Sequence, residues 1–287
     1  MLKFRNILSS LDYYDVFLFD LWGVIVEGKR LYPEVVSTIN KIIEKDKQVM
    51  FISNAPRPNI VSYDQICRWG INIDKPEFVI TSGLISRLMI ANSKERFNID
   101  NPVVFHIGAD RNHDLLSYDL KCTITENVHE ANIVVLSIFR DEFEDLEEFD
   151  DLLKTIASLN TINLCTNPDY TIPIGNITRH CAGYFAKKIE NYGGKVIYTG
   201  KPETEIFQYA LGYCKYVPLN RVLMIGDTLE TDILGASRCS IDSALVLTGN
   251  AYKLHKKYDI MSKKLLNIEK VAFDSINTSP TFVTSLN

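Results

Sequence analysis

The sequence predicts an α/β fold: a parallel sheet covered by helices on both faces, interrupted by a smaller inserted α/β domain. Three observations carry that expectation. Short β-branched and aromatic runs alternate with amphipathic stretches at both ends of the chain, and the middle holds a further set of apolar runs. The length, 287 residues, accommodates two domains of about 150 residues each. Hydrophobic residues make up 46% of the chain and charged residues 23%, which supplies a substantial core and excludes global disorder.

Taken in order, Val16–Asp20 is a run of large apolar side chains ended by a carboxylate, the pattern of a strand buried on both faces. Glu34–Lys45 is an amphipathic, helical stretch, Val49–Asn54 a second strand, and Asn59–Trp69 a second helix. The same βαβ rhythm resumes with the strand Val196–Thr199, the helix Glu203–Lys215, the strand Val222–Asp227, the helix Thr231–Arg238 and the strand Ser243–Leu247. Between these halves lie the apolar runs Val103–Ile107, Ile133–Ile138 and Ile162–Thr166, with the acidic, helix-like Glu144–Leu159 among them. The expectation is a core of residues 1–84 and 177–287 with an inserted α/β domain at 85–176. Ser275–Asn287, rich in Ser, Thr and Asn, is expected to fray.

Charge narrows the partners. Thirty-one basic against 36 acidic residues give a net charge of −5, with no basic field of the kind that holds a nucleic-acid backbone. The longest apolar run, Val16–Val26, is broken by Asp20 and falls short of the ~20 residues a membrane span needs. Met1–Asp15 lacks the order of a signal peptide, so the expected location is cytoplasmic, with neither nucleic acid nor membrane as partner. The six cysteines have no gap shorter than sixteen residues, which leaves no close-spaced zinc pair or redox motif. Asp141–Asp151 holds eight acidic residues in eleven, but Phe143, Leu146 and Phe149 recur at helical spacing, so this is a solvated helix face. The six lysines of Lys253–Lys270 are read as solubilising surface.

The chemistry gathers at strand ends. Asp20, Ser53-Asn54 and Asp227 each follow an apolar strand at its carboxyl edge, where ligands of open α/β sheets bind. Helix N-termini pointing into the same crevice suit an anion such as phosphate. Carboxylates converging there would repel one another and any phosphate unless a cation lies among them. In GDTLETD, Asp227 ends the strand and Asp232 falls in the next helix's first turn, which makes a reasonable Mg²⁺ shell. Lys201, in TGKPE, reads equally well as a surface lysine ahead of a proline-started helix.

In order along the chain, FDLWGV (Phe19–Val24), ISNAPRP (Ile52–Pro58), GKPE (Gly200–Glu203) and MIGDTLETD (Met224–Asp232) resemble the four motifs of the haloacid dehalogenase-like hydrolase superfamily. With the insertion between the second and third motifs and TNPD (Thr166–Asp169) before the chain rejoins the core, it looks like the branch of sugar, nitrophenyl-phosphate and pyridoxal phosphatases. The resemblance implies a Rossmann-like core with a cap, a Mg²⁺-dependent phosphatase, and a small phosphorylated metabolite as substrate. It makes Asp20 the nucleophile that becomes an aspartyl phosphate. Ser53 would bond the transferring oxygens, Lys201 would neutralise charge, and Asp20, Asp227, Asp232 and the Trp22 carbonyl would hold the metal. Asn54 would add a donor, and Asn167 and Asp169 would read the substrate, with a plain turn as the alternative for Asn167-Pro168-Asp169.

One residue departs from the pattern. Trp22 stands where phosphatases of this superfamily usually carry a second Asp that protonates the leaving group, and an indole cannot do that. Glu27, Asp169 or a cap histidine could stand in. Two other functions therefore stay open: a weakly active or inactive phospho-ligand-binding protein, and a hydrolytic dehalogenase, which also carries an aromatic residue there but dispenses with the paired carboxylates. The sequence leaves the oligomeric state open, a homodimer included.

Overall fold

Four consecutive large apolar residues, Val16–Phe19, are all buried, because the strand they form has sheet neighbours on both edges and covered faces above and below. In the computed structural model, which describes residues 2–117, 119–137, 146–174 and 177–286, this strand is central to a six-stranded sheet. The spatial order is Phe282–Thr284, Asp242–Val246, Val222–Gly226, Val16–Phe19, Gln48–Ser53, Val79–Thr81. Val16 lies opposite both Val222 and Gln48 in parallel register, and Phe19 opposite Ile225 and Phe51. That register brings Asp20, Ser53 and Asp227 out of the sheet at the same carboxyl edge within one residue of one another.

At the other edge Asp15 ties three strands together. Its backbone N–H donates to Arg221 O at 2.9 Å and its carbonyl accepts from Gln48 N at 3.0 Å, while its carboxylate takes Arg221 Nη2 at 2.8 Å and Lys47 Nζ at 2.9 Å. The Arg221 guanidinium and the Lys47 ammonium hold the Asp15 carboxyl well below the usual carboxylate range. A depressed pKa contributes stability above the ordinary value of ~4 and loses it as pH falls through the folded value. Asp15→Asn is therefore expected to lower the melting temperature by about 2 °C at pH 7, the scale of a half-exposed ion network. The difference from wild type should shrink as pH drops below about 4. A deficit that stays constant down to pH 2 would mean that the ionised carboxylate is not the source of the lost stability.

The molecule divides into two compact units: Met1–Ser53, Ile60–Ile80 and Lys201–Asn287 form the first, and Asn54–Asn59 with Thr81–Gly200 the second. In the first, helix Val35–Ile43 buries Val35, Ile39 and Ile42 against Phe17, Phe19 and Phe51 of the sheet. The second has its own sheet in the order Ile197–Tyr198, Ile162–Cys165, Ile133–Leu136, Val103–Ile107, Thr123–Thr125, paired in parallel. Helices Asp150–Ser158 and Ala182–Asn191 pack Leu153, Ile156, Phe185 and Ile189 onto it. An antiparallel hairpin, Thr171–Ile174 with Ile177–His180, follows Asp169. Among the described residues no helix is long and apolar enough to cross a membrane.

Four expectations change. The strand expected over Val196–Thr199 as part of the outer sheet is Ile197–Tyr198, and it pairs with Ile162–Cys165 at the edge of the second unit's sheet, so the chain returns to the first unit only at Lys201. The tail does not fray: Ser275 and Ile276 end the helix Met261–Ile276, and Phe282–Thr284 is an edge strand paired with Ala244–Val246. Its buried Phe282 stacks on Tyr14 at 6.5 Å, and Val283 exchanges backbone bonds with Lys3 and Arg5, burial that outweighs the polar composition of the segment. The acidic helix is shorter than expected, a 3₁₀ turn at Leu146–Phe149 leading into Asp150–Ser158; Asp141–Asp145, with Phe143, and Ile138 lie outside the described residues. The helix expected over Thr231–Arg238 opens earlier, with one wide π-type turn at Leu229–Ile233 in which Thr228 O accepts from both Asp232 N and Ile233 N, at 3.0 and 3.3 Å.

Candidate active site

The site is built on the first unit. Asp20 leaves the central strand with its N–H bonded to Ile225 O at 2.9 Å, which fixes the direction of its side chain at the sheet edge. Lys201 is only 2% exposed and reaches two carboxylates, Asp20 Oδ1 at 2.5 Å and Asp232 Oδ1 at 2.6 Å. Asp232 Oδ2 turns back to accept the Thr228 N–H at 3.1 Å, a reach that the wide turn permits. Gly226 leaves room for it, since a Cβ there would lie 2.2 Å from Asp232 Cγ.

Asp227 has both oxygens bonded. Asn250 N donates to Oδ2 at 2.6 Å and Thr228 Oγ1 to Oδ1 at 3.0 Å. Backbone crowds this carboxylate from two sides: a Cβ on Gly23 would lie 2.2 Å from Oδ2 and one on Gly249 2.0 Å from it. Both glycines also have positive φ, +84° and +52°, which L side chains adopt at a cost. Trp22, just before Gly23, is 48% exposed. Ser53 ends its strand buried.

Electrostatics mark this cluster as short of positive charge. Burial pushes the Asp20 carboxyl well above its ordinary range; Lys201 opposes that shift, while Asp232 and Asp227 add to it. Burial likewise pushes Asp227 up to about 7, with Asp232 reinforcing it and the bonds from Asn250 and Thr228 opposing it. For Lys201 burial disfavours the charge, but Asp20 and Asp232 outweigh it and hold the ammonium above its usual value. Oxygens of Asp20, Asp227 and Asp232 all lie within 4.8 Å of one another, and among the described residues Lys201 pairs with two of these carboxylates, Asp20 and Asp232. Hard oxygen donors with excess negative charge fit a hard divalent cation such as Mg²⁺.

The remaining sequence candidates lie on the second unit. Asn54 Nδ2 donates to Asp169 Oδ1 at 3.0 Å, Asn167 Oδ1 accepts from Asp169 N at 3.2 Å, and Asn167 O accepts from Gly183 N at 2.9 Å. The Asn167-to-Asp169 bond is the side-chain turn that these residue types favour. Gly83 is held by close backbone approach, since a Cβ would fall 2.4 Å from Arg57 N.

Sequence reasoning missed Thr228, Thr248, Gly249, Asn250 and Tyr32. Asn250 acts on Asp227 through its backbone, which no side-chain motif encodes. The signal that could have found this turn is the one used elsewhere, a polar or glycine stretch at the carboxyl end of a strand, here Leu247–Asn250 after Asp242–Val246.

Comparison with known proteins adds to this geometry. A family model described as haloacid dehalogenase-like hydrolase matches residues 14–239. Chronophin from Mus musculus is 26% identical over 241 residues, 81% of this chain and 80% of that protein. The acid sugar phosphatase of Staphylococcus epidermidis is 25% identical over 259 residues, 89% of this chain and 93% of that protein. In fold, the crystal structure of a possible sugar phosphatase from Cytophaga hutchinsonii matches with a TM-score of 0.80, covering 100% of this chain and 99% of that one at 23% identity.

Proposed function

The chain belongs to the haloacid dehalogenase-like hydrolase family, and from that premise we propose that it is a Mg²⁺-dependent phosphatase of a small phosphate monoester, acting through an aspartyl phosphate on Asp20. The observation that carries this reading is Lys201, buried between Asp20 and Asp232, with Asp227 in the same cluster. A structural ion pair needs one carboxylate; here Lys201 pairs with two, and a third lies in the same cluster.

An Asp20 oxygen attacks phosphorus while the bond from phosphorus to the ester oxygen breaks, and that oxygen leaves with the bonding electron pair and then takes up a proton from solvent. Water then attacks the phosphoaspartate, releasing inorganic phosphate and restoring the carboxylate. Lys201 neutralises charge on Asp20 and on the phosphoryl oxygens, and Ser53 donates to those oxygens. Asp20, Asp227 and the Trp22 carbonyl would hold Mg²⁺, with Asp232 directly or through water. When bound, the cation supplies positive charge that lets carboxylates and a phosphate dianion share one crevice. On the second unit, the proposed cap, Asn54, Asn167 and Asp169 are assigned to reading the substrate.

Asp227→Ala tests the metal assignment. It is expected to raise the Mg²⁺ concentration for half-maximal phosphate release by tenfold or more, with calorimetry showing the matching loss of binding. Unchanged affinity and activity would remove Asp227 from the metal site. A second reading, a phospho-ligand-binding protein of low activity, is favoured by Trp22 alone and predicts Mg²⁺ binding without turnover on a broad panel of phosphate esters.

A further inference from the structure

The turn after strand Asp242–Val246 joins three segments of the site. Thr248 Oγ1 donates to Gly23 O at 2.6 Å, Gly249 N donates to the Tyr32 hydroxyl at 3.2 Å, and Asn250 N donates to Asp227 Oδ2 at 2.6 Å. The Asn250 side-chain amide bonds Thr228 Oγ1 at 2.9 Å, and that hydroxyl holds the other oxygen of Asp227. A Cβ on Gly249 would fall 2.6 Å from Gly23 Cα as well as 2.0 Å from Asp227 Oδ2, so the turn is wedged between the segment that follows Asp20 and the Asp227 strand end.

These bonds fix more than the turn. Gly23 is held on both sides of its α-carbon: its N–H donates to Val26 O at 2.9 Å and its carbonyl accepts from Thr248. The Trp22 carbonyl lies across the same peptide plane as the Gly23 N–H, so a fixed Gly23 is a fixed Trp22 carbonyl. The partner bonds of a ligating group set its orientation and affect metal affinity by about 10–100-fold. Resting on the metal reading above, we infer that Thr248 is a positioning residue of the metal centre: its hydroxyl aims the Trp22–Gly23 backbone while the Asn250 N–H of the same turn aims Asp227. Thr248 itself touches no reacting atom.

The experiment measures Mn²⁺ binding to the full chain, by the electron paramagnetic resonance signal of the free ion, for wild type, Thr248→Val and Thr248→Ser. Valine keeps the shape and removes the hydroxyl; serine keeps the hydroxyl. Thr248→Val is expected to weaken Mn²⁺ binding at least tenfold, with Thr248→Ser within about threefold of wild type. The metal concentration for half-maximal activity should move with the binding, and kcat at saturating metal should change less. A purely structural role would lower the metal-free melting temperature and leave Mn²⁺ affinity unchanged, and that result overturns the inference. Should Thr248→Val not fold, Thr248→Ala removes the same hydroxyl without the branched side chain; weaker Mn²⁺ binding supports the inference, and wild-type affinity overturns it. A wild-type protein that binds no Mn²⁺ fails the metal reading itself, an outcome distinct from equal binding by wild type and variants.

Discussion

Replacing Asp20 with Asn is expected to lower phosphate release by on the order of 10⁴–10⁶-fold, the range seen when a member of a covalent catalytic set is removed. The amide keeps the volume and can still accept from Lys201, but it lacks the charge and the nucleophilic oxygen that bond formation to phosphorus needs. The same substitution should leave the metal-free melting temperature at or above that of wild type. Burial and the neighbouring Asp232 and Asp227 make the ionised Asp20 costly despite Lys201, and Lys201 keeps its second partner at 2.6 Å in Asp232. Lost activity with retained fold is thus the signature of a nucleophile, whereas joint loss of both is that of a structural ion pair. Beryllium trifluoride should bind on Asp20 in the wild type; its attachment to any other carboxylate reassigns the nucleophile.

The second large effect concerns the leaving group. Trp22 lies two residues past Asp20, and its indole has no proton to give at neutral pH. An ester oxygen that departs unprotonated leaves faster the more acidic its alcohol, so aryl and acyl phosphates should be cleaved far faster than sugar or other alkyl phosphates. Trp22→Asp is expected to flatten that dependence. A positioned general acid contributes roughly 10²–10⁴-fold, or about 3–5 kcal/mol at ~1.36 kcal/mol per decade, so even a tenfold gain on alkyl esters supports the assignment. The half-exposed side chain can be replaced without opening a core cavity, and the backbone carbonyl assigned to the metal is kept. Equal wild-type rates on aryl and alkyl esters, with chemistry shown to be rate-limiting, would mean that another group supplies the proton.

The core strands and the cluster they carry were legible because both depend on local pattern. Val16–Phe19 and Val222–Gly226 read as buried strands from unbroken apolar runs, and in a parallel sheet the polar residue ending each run must emerge at one edge, which is how Asp20, Ser53 and Asp227 met. Lys201 was ambiguous alone; only the order of four motifs singled it out. What stayed hidden depends on partners distant in sequence or on backbone atoms. Phe282–Thr284 has the composition of a loose tail, yet Tyr14 and strand Asp242–Val246 give it a sheet edge to complete. Val79–Thr81 is too short for a periodicity to develop. Gly249 N–H and Asn250 N–H act through the main chain, which every residue but proline has, and the Asn250 side chain reaches Asp227 only by way of Thr228, 22 residues away in sequence, so no local pattern announces the role.

The wide turn at Leu229–Ile233 separates two kinds of sequence change. Asp227 and Asp232 reach one cluster because the chain between them follows a path of set length, and losing one residue there would swing the later helix positions by about 100°. Asp232 would then leave Lys201 and the Thr228 N–H together. Glu230 is exposed and Thr231 half-buried, so the identities of those two residues are loosely held while their number is not. Related chains that keep this site are free to drift at those two positions, while Thr228, which bonds both carboxylates, and the buried Leu229 are held, and an insertion or deletion there would have to be matched by rebuilding the turn.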